Sequence, residues 1–172
     1  MMKVVFAAAL CLGFLAIAPA PGWAQPSTDA DRTIRQGDTI EWVSVSSGPH
    51  QVKFGGTVGG TTLPKISDVQ AILKFPPAPA PQLTISGDIG TSPARSTGPL
   101  LSATVDQDAV PGSTFFFTCG IHQAAMLSHP FKIEAKVEGQ PARTHKIKGG
   151  PGFHWFMEVT RDASIDTTPP SP

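Results

Sequence analysis

Glycine and proline occur 17 and 18 times in this 172-residue chain. That frequency favours short strands joined by turns over long helices. Between the breaks the apolar residues alternate. In residues 39–45, Ile40 and Trp42 fall on the opposite face from Glu41 and Val43, and residues 51–54 and 101–105 repeat the period of two. Residues 33–45 read as two short strands around Arg35-Gln36-Gly37-Asp38. Residues 113–119 carry Phe115, Phe116 and Phe117 in succession, as in a central strand covered on both faces. The expected fold is an all-β antiparallel β-sandwich.

The remaining segments are punctuated differently. Ser46-Ser47-Gly48-Pro49 reads as a turn cluster, Pro111-Gly112 as a turn and residues 120–125 as a tight loop. Residues 57–98 read as an irregular Pro/Gly-rich insert. Within it Ser67 is placed to cap a short helix over 68–74. Residues 76–81 are all Pro and Ala and read as extended polyproline; 82–86 read as a strand and 87–98 as loop. Residues 127–137 read as a strand with Phe131, Ile133 and Ala135 on one face and His129-Pro130 at its edge. Residues 138–172 form a C-terminal extension. In it 144–148 and 153–159 flank Gly149-Gly150-Pro151-Gly152 as a hairpin, and 167–172 form a disordered end.

The start of the chain reads as a signal peptide over residues 1–24. Met1-Met2-Lys3 is positive, residues 4–18 are apolar and uncharged, and a small-residue segment ends at Ala24. The apolar run is shorter than the roughly 20 residues of a membrane span. A periplasmic or secreted protein, without stable membrane insertion, is expected. Removal of the signal takes Cys11 with it and leaves one thiol, Cys119, which cannot form an internal disulfide. A lone thiol in an oxidising compartment needs protection, by metal ligation or by deep burial. The 13 basic and 13 acidic residues give a net charge of zero. No basic block marks a nucleic-acid surface, so no nucleic-acid partner is expected.

The chemistry concentrates in Phe115 to Met126, which contains Cys119, His122 and Met126 in the pattern C-x-x-H-x-x-x-M after a strand. Upstream, Gly48-Pro49-His50-Gln51-Val52 sets a second imidazole at the start of another strand. Two imidazoles, a thiolate and a weak axial thioether suit both oxidation states of copper, so little moves when an electron passes. Thiolate and thioether favour the reduced ion, and the imidazoles hold the oxidised one.

These pieces resemble the cupredoxins of the plastocyanin, pseudoazurin and amicyanin group. The similarity is carried by Gly37-Asp38-Thr39-Ile40-Glu41-Trp42, by Pro49-His50, and by Pro111-Gly112 followed by an aromatic strand into Cys119-x-x-His122. It covers residues 33–137 of the 32–137 domain, and the middle of that span matches poorly. The resemblance implies a Greek-key sandwich with one type 1 copper ion, His50, Cys119 and His122 as equatorial ligands and Met126 as the axial one. It also implies a carrier of single electrons, expected to be monomeric; with no second copper cluster of His-x-His type and no substrate site in the sequence, no catalysis of its own is expected. A redox protein would dock near His122, against a rim of Pro49, Ile121, Ala124 and Ala125. The neutral charge balance implies weak salt dependence of that association. Gln51 stands where the family often has Asn, and residues 138–172 have no counterpart.

Other readings stay open on the residues alone. A copper-carrying or copper-sensing protein could use the same ligands, and a metal-free structural module could bury Cys119 and Met126 as core. His129 could compete with Met126 for the metal. Haem attachment lacks its second cysteine, zinc sites rarely use thioether, and a Cys/His protease leaves His122 and Met126 unexplained. His145 and His154 read as exposed strand residues or a second metal site.

Overall fold

A computed structural model describes residues 32–160. The expected signal peptide, Cys11 and the expected disordered end at 167–172 lie outside the described residues. In chain order the strands are β1 Thr33–Arg35, β2 Thr39–His50, β3 Val52–Phe54, β4 Thr57–Val58, β5 Thr61–Thr62, β6 Leu73–Lys74, β7 Thr84–Ser86, β8 Ile89–Thr91, β9 Arg95–Val105, β10 Thr114–Phe115, β11 Thr118–Cys119, β12 Phe131–Glu134, β13 Thr144–Gly150 and β14 His154–Thr160. One short helix, α1 Ile66–Gln70, precedes β6, and a 3-10 turn Ala124–Met126 follows β11. The described residues are therefore all-β in class.

The strands form a five-stranded sheet in the order β14-β13-β2-β9-β6, a four-stranded sheet β11-β3-β8-β7, a three-stranded sheet β1-β12-β10 and the ribbon β4-β5. β13 runs parallel to β2, and β9 antiparallel to it. The alternation expected from sequence is present: Ile40, Trp42 and Ser44 of β2 are buried. A single core cluster joins residues of all three larger sheets, including Ile34, Trp42, Phe54, Leu101, Phe117 and Ile133. Trp42 meets Phe117 edge-on at 5.6 Å, and Phe115 and Phe117 stack on Phe131 at 5.3 and 5.9 Å. Burying a large apolar side chain stabilises the fold by roughly 2–3 kcal/mol each, so these rings are its main support.

Two strand runs change sheet without a turn, and both changes lie beside the ligand candidates. β2 ends at His50 in the five-stranded sheet, and β3 begins at Val52 in the four-stranded one. β10 and β11 divide what was expected as one central strand between the three-stranded and four-stranded sheets. The break at Phe116-Phe117 is made by a partner eleven residues further along the chain. Both backbone groups of Phe117 bond Ser128, whose Oγ accepts the Phe117 N–H at 2.9 Å and whose N–H donates to the Phe117 carbonyl at 2.9 Å.

Several other expectations change. Ser46-Ser47-Gly48-Pro49 is not a turn but a bulge within β2: Val45 pairs with Thr97 and His50 with Arg95, so residues 46–49 stand opposite Ser96 alone. Pro49 has no N–H for the ladder, and the strand bulges around it and continues. The helix begins at Ile66, with Lys65 at its cap position, because Ile66 is a core residue whose N–H bonds the Asp88 carbonyl at 3.0 Å. Ser67 is inside the first turn and caps nothing, and Leu73 is pulled into β6 opposite Val105. The Pro/Ala run turns at residues 78–79. Residues 87–98, expected as loop, contain β8 and the start of β9. The expected strand over 127–137 shrinks to β12, since Ser128 serves Phe117 and Pro130 cannot donate; Ala135 is exposed.

The hairpin expected near the C-terminus is present as β13 and β14, paired from Thr144↔Thr160 to Gly150↔His154. Its anchoring was not foreseen. Gly37, with φ +85, makes the turn that points Asp38 inward. The Asp38 carboxylate accepts the N–H groups of Arg35 and Arg143 at 3.1 and 2.9 Å and pairs with His145 Nε2 at 2.7 Å. Asp38 and His145 are both buried, which corrects the expectation that His145 is an exposed strand residue. Burial alone would push the Asp38 carboxyl up, but the hydrogen bonds from His145, Arg143 and Arg35 outweigh it and hold the group below the ordinary carboxylate range.

A carboxyl that titrates lower folded than unfolded contributes its full stabilisation above the unfolded value. It loses that contribution as pH falls through the folded one. Asp38→Asn is therefore expected to cost about 1–3 kcal/mol of stability at neutral pH. Below pH ~4 the variant should lose stability less steeply than the natural chain. Urea unfolding of both chains at several pH values measures the difference.

Candidate metal centre

The site begins with a register. β11 pairs antiparallel with β3, Thr118 opposite Lys53 and Cys119 opposite Val52. Because His50 ends β2 two residues before Val52, this pairing carries the Cys119 thiol to the His50 ring. The junction is closed by backbone bonds on both sides. Gly120 N–H donates to the Gln51 carbonyl at 2.9 Å, and Gln51 N–H points at Cys119 Sγ from 3.4 Å. A donor aimed at the sulfur stabilises its anionic form.

The loop then folds back. Gln123 N–H bonds the Cys119 carbonyl at 2.7 Å, and Ala125 and Met126 N–H bond the His122 and Gln123 carbonyls at 3.1 and 3.0 Å. Gln123 takes φ +43, uncommon for a residue with a side chain and a sign of how tight the turn is. Thr118 Oγ1–H is shared between the carbonyls of Gln123 and Met126, pinning the loop from beneath. The result turns His122 toward the thiol.

Cys119 Sγ lies 3.4 Å from His122 Nδ1 and 4.0 Å from His50 Nδ1. One ligand atom from each of His50, Cys119 and His122 falls within 4.8 Å of the others. A cation bound at about 2 Å from each of three such donors requires them roughly 3–4 Å apart, so the donor set fits a metal ion. Cys119 and His50 are buried, and His122 is half-buried. Burial first, and the neighbouring His122 second, hold His50 below the ordinary imidazole range, which keeps it neutral and able to donate its lone pair near pH 7. Among the described residues the cluster is of the kind that a cupredoxin-type metal site uses.

Met126, expected as axial ligand, is 1% exposed at the end of the same loop, whereas His129 is exposed. Gln51 also has a settled place. Its Nε2–H donates to the Ser92 carbonyl at 2.9 Å, and Ser92 Oγ accepts the Val52 N–H at 2.9 Å. A Cβ on Gly120 would lie 2.2 Å from Gln51 Oε1, so this amide lies against the Cys119-Gly120 bond. The longer side chain thus ties the His50 segment, the residues before β9 and the ligand loop together.

Sequence reasoning missed three residues beside the cluster, all in the C-terminal hairpin. Trp155 Nε1–H donates to the Met126 carbonyl at 2.8 Å, and its ring lies 6.0 Å from that of His50. Phe153 lies 4.5 Å from the His122 ring. Gly149 of β13 faces His50, where an added Cβ would sit 3.0 Å from the imidazole. The Gly-Gly-Pro-Gly turn announced a hairpin, but no local signal said which way it faces.

Comparison with protein-family models, with curated proteins and with solved structures finds no match to the chain. Among the described residues no helix is long and apolar enough to cross a membrane.

The shared Thr118 hydroxyl yields a direct test of loop rigidity. Thr118→Val, which keeps the shape and removes the donor, is expected to fold and to cost about 1 kcal/mol. Amide hydrogen exchange in residues 120–126 should quicken more than in β2 or β9.

Proposed function

We propose that this chain is an exported electron carrier with one copper ion held by His50, Cys119, His122 and Met126, on a Greek-key sandwich of the cupredoxin kind. The observation that carries the reading is the convergence of a buried thiol and two imidazole nitrogens within 4.8 Å, with a backbone N–H aimed at the sulfur. A structural thiol needs none of these partners. Two imidazoles and a thiolate, with a buried thioether in the same loop, are the combination that suits copper in both oxidation states.

Copper bound there supplies reversible one-electron exchange. The chain's own residues do the rest. Cys119 provides a soft anionic donor whose charge the Gln51 N–H supports. His50 is kept neutral and dry at the end of β2. The 3-10 turn and Thr118 hold His122 and Met126 in one rigid loop, so the donor set need not rearrange between oxidation states. His122, half-buried, is the side chain through which an electron reaches a partner. Around it we read the exposed Pro49, Ile121, Ala124 and Ala125 as a small apolar docking rim, together with the exposed Phe153 beside His122. We read the protein as monomeric, without a catalytic reaction of its own, and located in the periplasm or outside the cell, with residues 1–24 removed.

Reconstitution of the chain from residue 25 onward with cupric ion tests this reading. The expected product binds one copper per chain and is intensely blue, from charge transfer between the Cys119 thiolate and the metal. It accepts and returns one electron without losing the ion. Cys119→Ser should fold and lose the colour entirely. Copper that leaves at once to a weak chelator would instead favour a carrier or sensor of the metal, and a colourless product would end the proposal.

A further inference from the structure

The C-terminal hairpin lies outside the part of the chain that resembles the cupredoxins, yet three of its residues meet the ligand cluster. β13 runs parallel to β2 with Gly149 opposite Ser44. A Cβ at Gly149 would sit 3.0 Å from both the His50 ring and the Trp155 ring, so a side chain there would make these two rings give by a few tenths of an ångström. Trp155 is partly buried, edge-on to Phe117 at 5.2 Å, and its N–H closes on the Met126 carbonyl at 2.8 Å. It therefore touches the remote ligand with its ring and the ligand loop with its polar edge. Phe153 takes φ +57, a strained backbone for an aromatic residue, and that conformation accompanies a ring lying 4.5 Å from His122 while half exposed.

Resting on the reading of the site as a copper centre, we propose that the β13–β14 hairpin is a built-in wall of that centre. Trp155 is a positioning residue that fixes His50 and Met126 relative to each other. Phe153 shields the solvent side of His122 and limits escape of the ion. A Met126 thioether contact to the ion would be weak, so its strength would follow small shifts of the loop backbone, which the Trp155 bond to the Met126 carbonyl restrains. The shield costs strain in the turn, and slower loss of metal is the return on it.

Trp155→Phe keeps an aromatic ring and removes the N–H. In copper-loaded protein it is expected to change the relative intensity of the visible bands and the symmetry of the electron paramagnetic resonance spectrum, and to weaken copper affinity about tenfold or more. Phe153→Gly relieves the backbone strain and removes the ring. It should leave the spectrum in place and speed copper removal by a chelator, again about tenfold. Phe156→Ala, on the opposite face of β14, is the control for general loosening of the hairpin and should alter neither property. A wild-type spectrum for Trp155→Phe overturns the positioning role, and a wild-type release rate for Phe153→Gly overturns the shield. Changes of equal size in Phe156→Ala overturn both.

Nuclear magnetic resonance of the metal-free chains separates this proposal from its parent. Trp155→Phe and Gly149→Ala should each shift the His50 imidazole signals and the amides of residues 122–126. If the natural chain takes no copper yet these shifts appear, the copper reading fails and the hairpin's hold on the cluster stands. If they are absent, the hairpin proposal fails whatever the metal result.

Discussion

The pairing of Cys119 with Val52 is the contact on which the site depends. It is one antiparallel register position between two short strands, β3 and β11. Its consequences reach every ligand candidate. It sets the thiol beside His50, aims the Gln51 N–H at the sulfur, and fixes where the loop to His122 and Met126 starts. Slippage by one residue would turn the Cys119 side chain to the other face of the strand and dissolve the cluster. The register is held from several directions, by Gly120 on Gln51, Gln51 on Ser92 and Ser92 on Val52.

Around that contact the fold is built so that the ligand residues sit where strands leave one sheet for another. His50 closes β2 after a bulge, and Cys119 closes β11 after the Phe run has crossed between sheets. At these crossings the two strand ends keep partners, His50 with Arg95 and Cys119 with Val52, while the aromatic core beneath keeps their side chains from moving. Trp42, Phe54 and Phe117 form that floor. Rigidity belongs to the fold, and the donor atoms inherit it.

The C-terminal hairpin is held at both ends of β13. At one end the buried Asp38 carboxylate takes the His145 ring and the Arg143 N–H; at the other Gly149 admits His50 against Trp155. The two anchors are four residues apart, about 13 Å along the strand. The Gly37-Asp38 turn, part of the sequence resemblance, thus secures a segment that lies outside it.

How much of this was legible in the chain depends on whether the signal is local. Strand alternation in Ile40 and Trp42, the C-x-x-H-x-x-x-M loop and the Gly-Pro punctuation are local, and from them came the all-β class, the residues His50, Cys119 and His122, and the existence of the hairpin. Where local pattern misled, a distant partner had intervened. Ser128 split the Phe strand, Asp88 drew the helix start forward to Ile66, and Leu73 and residues 89–91 became strand only because Val105 and β3 offered them partners. His145 looked like any alternating strand residue until Asp38 buried it.

The sequence alone therefore determined the donor types, because metal-binding character is a property of individual side chains and their short spacing. Tertiary structure alone decided that β13 lies beside β2, that Trp155 bonds the Met126 carbonyl and that Phe153 reaches His122. Such choices rest on contacts between residues about 30 or more apart, and sheet pairing of that kind leaves no periodic mark on either strand.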